Sequence, residues 1–261
     1  MVVREANIFQ EPKKKPKSRF RQKALILATR FLYSKVDCIV ANSPDTLKSL
    51  EKLGLNFVIP TSIIGNPIVF ADFNDGAQFL GWLPQPLPPF LCAVGRLVHQ
   101  KGFDTLIAAF ARLPNKQIHL VILGEGNLRT SLINQATELG VSARVHLPGF
   151  VKNPMAVVVR SCLFVLSSRW EGFGNVLVEA LATGVPIVAT DCPGGPSWIL
   201  EDGAHGQLVS IEDPDALTSA IMDGLHRPAG TRAARIARAR DFSADQIARE
   251  YLAKALLPPT E

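Results

Sequence analysis

Short apolar runs alternate with amphipathic segments of helical length from Phe90 onward. The runs that predict strands span 89–95, 118–124, 143–149, 162–168, 185–191 and 205–209, and the segments that predict helices span 104–113, 128–140, 154–161, 175–184 and 214–225. The valines of 154–161 are also compatible with a strand. Because the strand runs lack polar alternation and are separated by helices, they predict a Rossmann-like, doubly wound α/β domain with a parallel sheet over 90–228.

The pattern before Phe90 predicts only part of a second α/β domain. The predicted elements are a helix over 20–36, a strand over 37–43, a helix over 44–54 and a strand over 56–66. Since so few strands do not build a sheet core of the usual size, residues 1–65 are interpreted as a remnant of that domain. Residues 66–89 are rich in proline and predict a linker. Residues 229–261 predict two more helices, the second with Ser243 as its N-cap.

Composition and charge refine this picture. The chain has 261 residues, of which 47% are hydrophobic and 20% charged, as expected of a globular protein with a core. Its net charge of +5 is concentrated in residues 1–52, which hold 12 Lys/Arg against 5 Asp/Glu, mainly through the cluster Lys13–Lys23. Such a run predicts either a solvated loop, which we favour, or a peripheral contact with an anionic membrane. Nucleic acid is not expected as a partner.

Cysteine use and hydropathy indicate a cytoplasmic protein. The four cysteines, Cys38, Cys92, Cys162 and Cys192, are far apart and form no CxxC pair, so they are expected to be reduced thiols without a metal. No apolar run reaches the roughly 18 residues that a spanning helix needs. The start of the chain lacks the apolar region of a signal peptide. A peripheral contact, if made, would be at the inner membrane face.

The first candidate for chemistry is the loop after the first strand of the 90–228 domain. In AVGRLVHQKGF, residues 93–103, the strand ends at Gly95 and a helix follows Gly102. A strand-to-helix turn with glycines lets backbone N–H groups approach a phosphate at the helix N-terminus. Arg96 and Lys101 can grip a diphosphate from two directions, Arg as a fork and Lys as a point charge. The signal alone is weak, because basic loops with two glycines are common.

The second candidate is SSRWEGFGNVLVEALATG, residues 167–184. Gly172 and Gly174 permit a tight turn before a helix, whose first backbone amides form another anion site. Glu179 is a carboxylate on an otherwise apolar helix, for which ribose hydroxyls are a natural partner. Glu171 lies in the loop, where a sugar ring would lie. The alternatives are a helix cap for Glu171 and a surface position for Glu179.

Both segments resemble the donor-binding domain of retaining glycosyltransferases with two Rossmann domains, the GT-B architecture. GRLVHQKGFDTLI and EGFGNVLVEALATGVPIVATDCPGGP carry the resemblance, and Glu171 and Glu179 match the family's Glu-x7-Glu motif. The resemblance implies transfer of a sugar from a nucleotide-diphosphate sugar, usually a UDP-sugar, to a glycan or lipid-linked acceptor with retention. No cofactor or metal is expected, and no Asp-x-Asp follows a predicted strand.

The resemblance also implies roles for residues. The implied roles are the donor diphosphate for Arg96, Lys101, Phe173, Gly174, Asn175 and Val176, the donor sugar and catalysis for Glu171, the ribose for Glu179, and the nucleobase frame for His146, Leu147 and Phe150. The C-terminal helix over 244–256 resembles the one that packs back on the N-terminal domain.

Two features of the sequence depart from the family's pattern. The N-terminal acceptor domain is largely missing from this sequence, and none of the five histidines stands in the context of that domain's active-site histidine. Trp198 stands where relatives often have an acidic residue. The alternative function is therefore a truncated protein that binds nucleotide sugar without turnover. A dinucleotide oxidoreductase is disfavoured, because no GxGxxG with a later acidic residue is present.

Overall fold

The computed structural model describes residues 2–6, 31–33, 35–52, 60–70 and 82–256. The basic cluster Lys13–Lys23 and most of the helix predicted over 20–36 lie outside these ranges. So do the first part of the strand predicted over 56–66 and the middle of the linker.

A small parallel sheet is formed by the first three strands. These are β1 (Val2–Glu5), β2 (Cys38–Ala41) and β3 (Thr61–Ile63), paired in the order β1-β2-β3, with helix α1 (Pro44–Lys52) between β2 and β3. The sequence did not predict β1, because it has four residues and ends in charged ones. Its place is determined by pairing with β2, where Val3 lies opposite Ile39. The second α/β unit has three parallel strands among the residues described.

The larger sheet has six parallel strands. Its elements are β4 (Phe90–Val94), α2 (Phe103–Arg112), β5 (His119–Leu123), α3 (Arg129–Glu138), β6 (Val145–Gly149), α4 (Met155–Val158), β7 (Leu163–Leu166), α5 (Asn175–Thr183), β8 (Ile187–Thr190), α6 (Pro196–Ile199), β9 (Gln207–Val209) and α7 (Pro214–His226). The spatial order β6-β5-β4-β7-β8-β9 is the Rossmann order, and it reverses direction between β4 and β7. The predicted fold class is confirmed.

The strands are continuous apolar runs in the sequence because both faces of the six-stranded sheet are buried. Along β4, Phe90 and Cys92 belong to one apolar cluster, whereas Leu91 and Ala93 belong to another. Since successive side chains of a strand point to opposite faces, each cluster lies on one face of the sheet. The prediction of a doubly wound sheet from this pattern is therefore confirmed.

The structure differs locally from the predicted elements at three places. The segment 154–161 is helical only over Met155–Val158, before the chain turns into β7. The strand predicted over 143–149 begins at Val145, after a 3-10 turn over Ser142–Arg144. Helix α6 was not predicted, because its four residues are too few for a periodic pattern. Its Pro196 occupies the first turn, where a missing N–H costs no hydrogen bond.

The small sheet shares its larger apolar cluster with the six-stranded unit. Cys38, Val40 and Ile64 belong to the same apolar cluster as Phe173 of the larger unit. A minor cluster of Tyr33, Val36, Ile39 and Leu50 lies on the opposite side of β2. A three-stranded sheet would be marginal alone, and the shared cluster supplies the missing burial.

The C-terminal helices return to the small sheet. Helices α8 (Arg232–Arg240) and α9 (Ala244–Tyr251) are followed by a π-helical turn over Leu252–Leu256. Ser243 accepts from the Gln246 amide, which confirms the predicted N-cap. The Ile68 amide donates to the Phe242 carbonyl at 2.9 Å, so the linker and the tail are joined. Among the helices described, none has the length and apolarity needed to cross a membrane.

Candidate functional site

A cleft of about 450 Å³ lies at the carboxyl ends of β4 and β7, where the strand order reverses. The lining residues are Gly95, Arg96, Gln100 and Lys101 after β4, Glu171 to Val176 and Glu179 after β7, and Ala6 and Asn66 from the small-sheet side. The structure thus brings together both loops that the sequence marked as candidates. Doubly wound sheets bind their ligands at this position.

Lys101 and Glu171 form a nearly buried ion pair in this cleft. The Lys101 Nζ lies 2.6 Å from Glu171 Oε1, and the two side chains are 14% and 7% exposed. Ser168 Oγ donates to the same carboxylate oxygen at 2.6 Å. The Glu171 carboxylate is therefore oriented by two donors, and its charge is balanced by Lys101.

Backbone contacts join the two loops into one unit. Ser167 Oγ donates to the Lys101 carbonyl at 2.9 Å, and the Arg169 amide donates to the Gln100 carbonyl at 2.8 Å. Gly102 has a φ of +61°, and a Cβ built on it would lie 2.0 Å from the Ser167 carbonyl oxygen. The absence of a side chain at Gly102 is thus what lets the loops approach each other.

Arg169, in the loop after β7, forms further hydrogen bonds and ion pairs that connect this loop to the segment after β4. Its guanidinium forms two bonds with Asp104, at 2.9 and 2.7 Å, and others with Glu212 at 2.6 Å and the His99 carbonyl at 2.7 Å. The bond with Asp104 raises the pKa of Arg169 above its ordinary value, although burial opposes this. Burial would raise the pKa of Asp104, but the hydrogen bond and charge of Arg169 lower it overall. Sequence analysis did not identify Arg169, because its partners are distant in the chain.

The start of helix α5 presents unpaired backbone donors to the cleft. Gly174 is the N-cap with a φ of +103°, and none of the side chains that the structure describes caps the helix. Among the described residues, no acceptor binds the amides of Asn175 and Val176. Arg96 is exposed beside them, and no described residue pairs with its guanidinium. The first helical turn and Arg96 together make this end of the cleft electropositive.

Glu179 lies one turn further along α5 and is half-buried. No described residue donates a hydrogen bond or forms an ion pair with its carboxylate. Burial raises the pKa of Glu179 above its ordinary value of 4.5. The half-buried carboxylate therefore carries a desolvation cost that no hydrogen bond from a described residue offsets.

We predict that Glu179→Gln stabilises the ligand-free protein at neutral pH but not in acid. Because the pKa of Glu179 is raised by folding, the folded state binds its proton more tightly than the unfolded state. The wild type therefore loses stability, relative to the variant, as the pH rises from 4.5 through the raised pKa. Denaturant unfolding of both proteins between acid and neutral pH measures the difference. Parallel stability curves would contradict the prediction.

The three residues expected to frame a nucleobase do not lie together in the cleft. His146 pairs with His119 in the amino half of the sheet, where His119 Nδ1 and His146 Nε2 are 2.8 Å apart. Burial, and then the charge of His119, lower the pKa of His146. The Leu147 carbonyl accepts from Arg129. Phe150 lies at the carboxyl edge of the sheet and is 79% exposed, so it alone of the three is on the side of the cleft.

Trp198 lines a different pocket, of about 440 Å³, together with Asp45 and Arg238. Its ring packs edge-on against Phe173, with 6.0 Å between centroids, and against Phe242, at 5.5 Å. It supports the loop that carries Phe173, but it does not line the cleft. All four cysteines are free thiols. Within the described residues, no group of three or more His, Cys, Asp or Glu is arranged to hold a metal ion.

The fold and the cleft define a Rossmann-like protein with an electropositive cleft at its topological switch point. Residues 82–242 match the family model "Glycosyl transferases group 1", which covers more than half of the chain. The chain therefore belongs to the group 1 glycosyltransferase family.

Similar proteins agree with this assignment. The chain is 38% identical over 197 residues to the lipopolysaccharide core biosynthesis glycosyltransferase LpsE of Rhizobium meliloti, covering 74% of this chain and 55% of LpsE. It is 34% identical over 228 residues to the Campylobacter jejuni N-acetylgalactosamine-N,N'-diacetylbacillosaminyl-diphospho-undecaprenol 4-alpha-N-acetylgalactosaminyltransferase, covering 85% of this chain and 60% of that enzyme. The chain thus spans little more than half the length of these relatives.

Solved structures share the fold. Anabaena HepE in complex with UDP and glucose superposes with a TM-score of 0.79 at 24% identity, over 98% of this chain and 70% of that one. Sucrose-phosphate synthase from Thermosynechococcus elongatus superposes with a TM-score of 0.78 at 23% identity, over 97% of this chain and 66% of that one. Both likenesses confirm the two-unit α/β architecture.

Proposed function

We propose that this chain is the donor-binding part of a glycosyltransferase and holds a nucleotide-diphosphate sugar in the cleft between β4 and β7. The observation that carries the proposal is the meeting of two cations, an uncapped helix start and two acidic side chains in one cleft. This combination matches a ligand with an anionic centre and hydroxyl groups on both sides. The reaction would be sugar transfer to a glycan or lipid-linked acceptor, with retention of anomeric configuration.

The diphosphate is assigned to the electropositive end of the cleft. Arg96 would bind it through its free guanidinium, and the amides of Phe173 to Val176 would bind it through the helix start. Lys101 is committed to Glu171 in the free protein, so the arriving diphosphate shares the ammonium with that carboxylate. We assign neutralisation of the leaving diphosphate to these groups, with no metal ion in the scheme.

The two acidic residues are assigned to the two hydroxyl-bearing parts of the donor. Glu179 would accept from the ribose hydroxyls, which satisfies the carboxylate that is now unpaired among the described residues. Glu171 would accept from donor sugar hydroxyls and face the positive charge that develops at the anomeric carbon. The donors on Glu171 Oε1, from Lys101 and Ser168, hold the carboxylate in place for this role.

The donor is proposed to be a UDP-sugar. The structure of HepE contains UDP and glucose, and the likeness of the two folds supports the same nucleotide for this chain. Phe150 is kept as a nucleobase contact because of its place at the carboxyl edge, whereas His146 and Leu147 are not. Relatives named for lipopolysaccharide core synthesis and for a diphospho-undecaprenol acceptor support a role in glycoconjugate or polysaccharide biosynthesis.

Donor binding without turnover is the second function proposed for this chain. The chain spans only 55% of LpsE and 60% of the Campylobacter enzyme, and its small sheet has three strands among the described residues. In the resembled family the acceptor site belongs to the N-terminal domain. We propose the division into residues 1–65, a linker over 66–89, the donor domain over 90–228 and returning helices over 229–261.

Calorimetric titration of two alanine variants tests the assignment of the acids. Glu179→Ala should weaken uridine and UDP alike, because both carry the ribose. Glu171→Ala should leave uridine unchanged and should not weaken UDP, because it releases Lys101 to the diphosphate. The UDP-sugar should lose about 1–3 kcal/mol relative to UDP, the usual size of a hydrogen bond to a charged group. Glu138→Ala, on the exposed surface of α3, is the matched control. Retention of full uridine affinity by Glu179→Ala would refute the ribose assignment.

A further inference from the structure

The cleft has a wall that comes from outside the region matched by the family model. Asn66, which follows β3, and Ala6, which follows β1, both line it. The family match begins at residue 82, so neither is part of the matched donor domain. These residues belong to the small-sheet unit, and they reach the phosphate end of the cleft, next to Asn175.

Asn66 connects an arginine to the first residue of helix α5. Arg4 donates to Asn66 Oδ1, and Asn66 Nδ2 donates to Asn175 Oδ1 at 2.7 Å. The Arg4 guanidinium also lies over the Tyr251 ring, 5.9 Å from its centroid, in the returning helix α9. A chain of contacts thus runs from the tail and β1 to the start of α5.

The chemistry of these side chains fixes the direction of both amides. A guanidinium has donors only, so the Asn66 oxygen must face Arg4 and its NH2 must face Asn175. Asn175 must then present its oxygen to Asn66, which leaves the Asn175 NH2 free. No described residue accepts from that NH2 group. It therefore adds two donors beside the unpaired amides of the helix start.

We propose that Asn66 is a positioning residue for the diphosphate subsite: it turns the Asn175 amide so that its NH2 group donates to the bound phosphates. Arg4 anchors Asn66 and strengthens the chain, because a charged donor polarises the bonds that follow it. The inference rests on the proposed function. It means that the phosphate end of the donor site is complete only when the small-sheet unit is docked.

The alternative is that Asn66 only links the two units. An aspartate separates these roles. In Asn66→Asp the new carboxylate still pairs with Arg4, so the link survives, but it has no N–H to donate to Asn175. The Asn175 amide then turns to donate to that carboxylate and presents its oxygen to the phosphates. Positioning therefore predicts that Asn66→Asp binds UDP less well than Asn66→Ala and that this excess loss disappears when Asn175 is alanine. Repulsion between the new carboxylate and the diphosphate, added to a mere linking role, does not depend on the Asn175 amide and predicts that the excess loss persists.

The test is calorimetric titration of the full chain with UDP and with uridine. We expect Asn66→Ala and Asn175→Ala each to weaken UDP by about three- to tenfold, the usual effect of one hydrogen bond. The double variant should lose no more than Asn175→Ala alone, because both changes remove the same interaction. Asn66→Asp should lose severalfold more than Asn66→Ala. Uridine affinity, which reports the rest of the site, should stay within about twofold of wild type in every variant.

Asn115→Ala is the matched control, since this exposed asparagine caps only a local turn with the Gln117 amide. The inference is overturned if Asn66→Ala binds UDP as the wild type does, if UDP and uridine weaken together, or if the losses at Asn66 and Asn175 add. These outcomes presuppose a wild type that binds UDP. Wild-type protein that binds no nucleotide overturns the proposed function first and this inference with it, so the two failures are distinct.

Discussion

Lys101→Met is expected to remove most UDP binding and to destabilise the fold at the same time. Lys101 is the cation of a pair whose members are 14% and 7% exposed, and methionine fills a similar volume without the charge. The Glu171 carboxylate is then left nearly buried with only Ser168 as a donor. Removing one partner of a buried pair typically costs about 3–5 kcal/mol of folding free energy. Denaturant unfolding and UDP titration measure the two effects.

Two further variants separate these effects. Lys101→Met combined with Glu171→Gln removes the unpaired charge and should recover most of the stability, but not the affinity for UDP. Arg96→Met should weaken UDP by about 1–3 kcal/mol and leave stability unchanged, since Arg96 is exposed and unpaired among the described residues. If Lys101→Met unfolds at the wild-type denaturant concentration, the ion pair does not have the structural role described here.

Gly102→Ala is expected to cost about 3 kcal/mol or more of stability and to disrupt the cleft. The new Cβ would lie 2.0 Å from the Ser167 carbonyl oxygen, and the residue has a φ of +61°. The Ser167 segment leads directly to Glu171, so the strain is relieved only by separating the loops that hold Lys101 and Glu171. UDP affinity should therefore fall together with stability.

Gly140→Ala is a control with nearly the same backbone strain. Its φ is +68°, but a Cβ there would meet nothing within 4 Å. The free energy of unfolding should fall by only about 1–2 kcal/mol, the cost of placing an alanine in the left-handed region, and the affinity for UDP should be retained. If both substitutions destabilise the protein equally, the close approach of the loops at Gly102 does not add to the destabilisation caused by Gly102→Ala.

The sequence alone predicted the parts of the site that are local in the chain. Arg96 with Lys101, and Glu171 with Glu179, each lie within one strand–loop–helix segment, where glycines and apolar runs mark the boundaries. Each segment follows a predicted strand, and the carboxyl ends of parallel strands in a doubly wound sheet lie at one edge. The structure brings them together at the point where the strand order reverses.

The contacts that sequence analysis missed join residues far apart. Arg169 and Asp104 are separated by 65 positions, and Asn66 and Asn175 by 109. No periodic pattern connects such pairs, and β1 was too short to have one. His146 is an example of a segment that was identified by resemblance although the residue itself does not reach the cleft. The strand register places His146 opposite Val121, away from the carboxyl edge of the sheet. Only the fold determines which residue of a segment reaches the site.

Calorimetric titration of the wild-type chain with UDP, GDP and ADP measures whether the cleft between β4 and β7 binds a nucleotide. We expect saturable binding of UDP, weaker binding of the other two nucleotides, and a reduced affinity for UDP in Arg96→Met. Binding of none of the three by folded protein would contradict this expectation, because the cleft between β4 and β7 would then not be a nucleotide-sugar site.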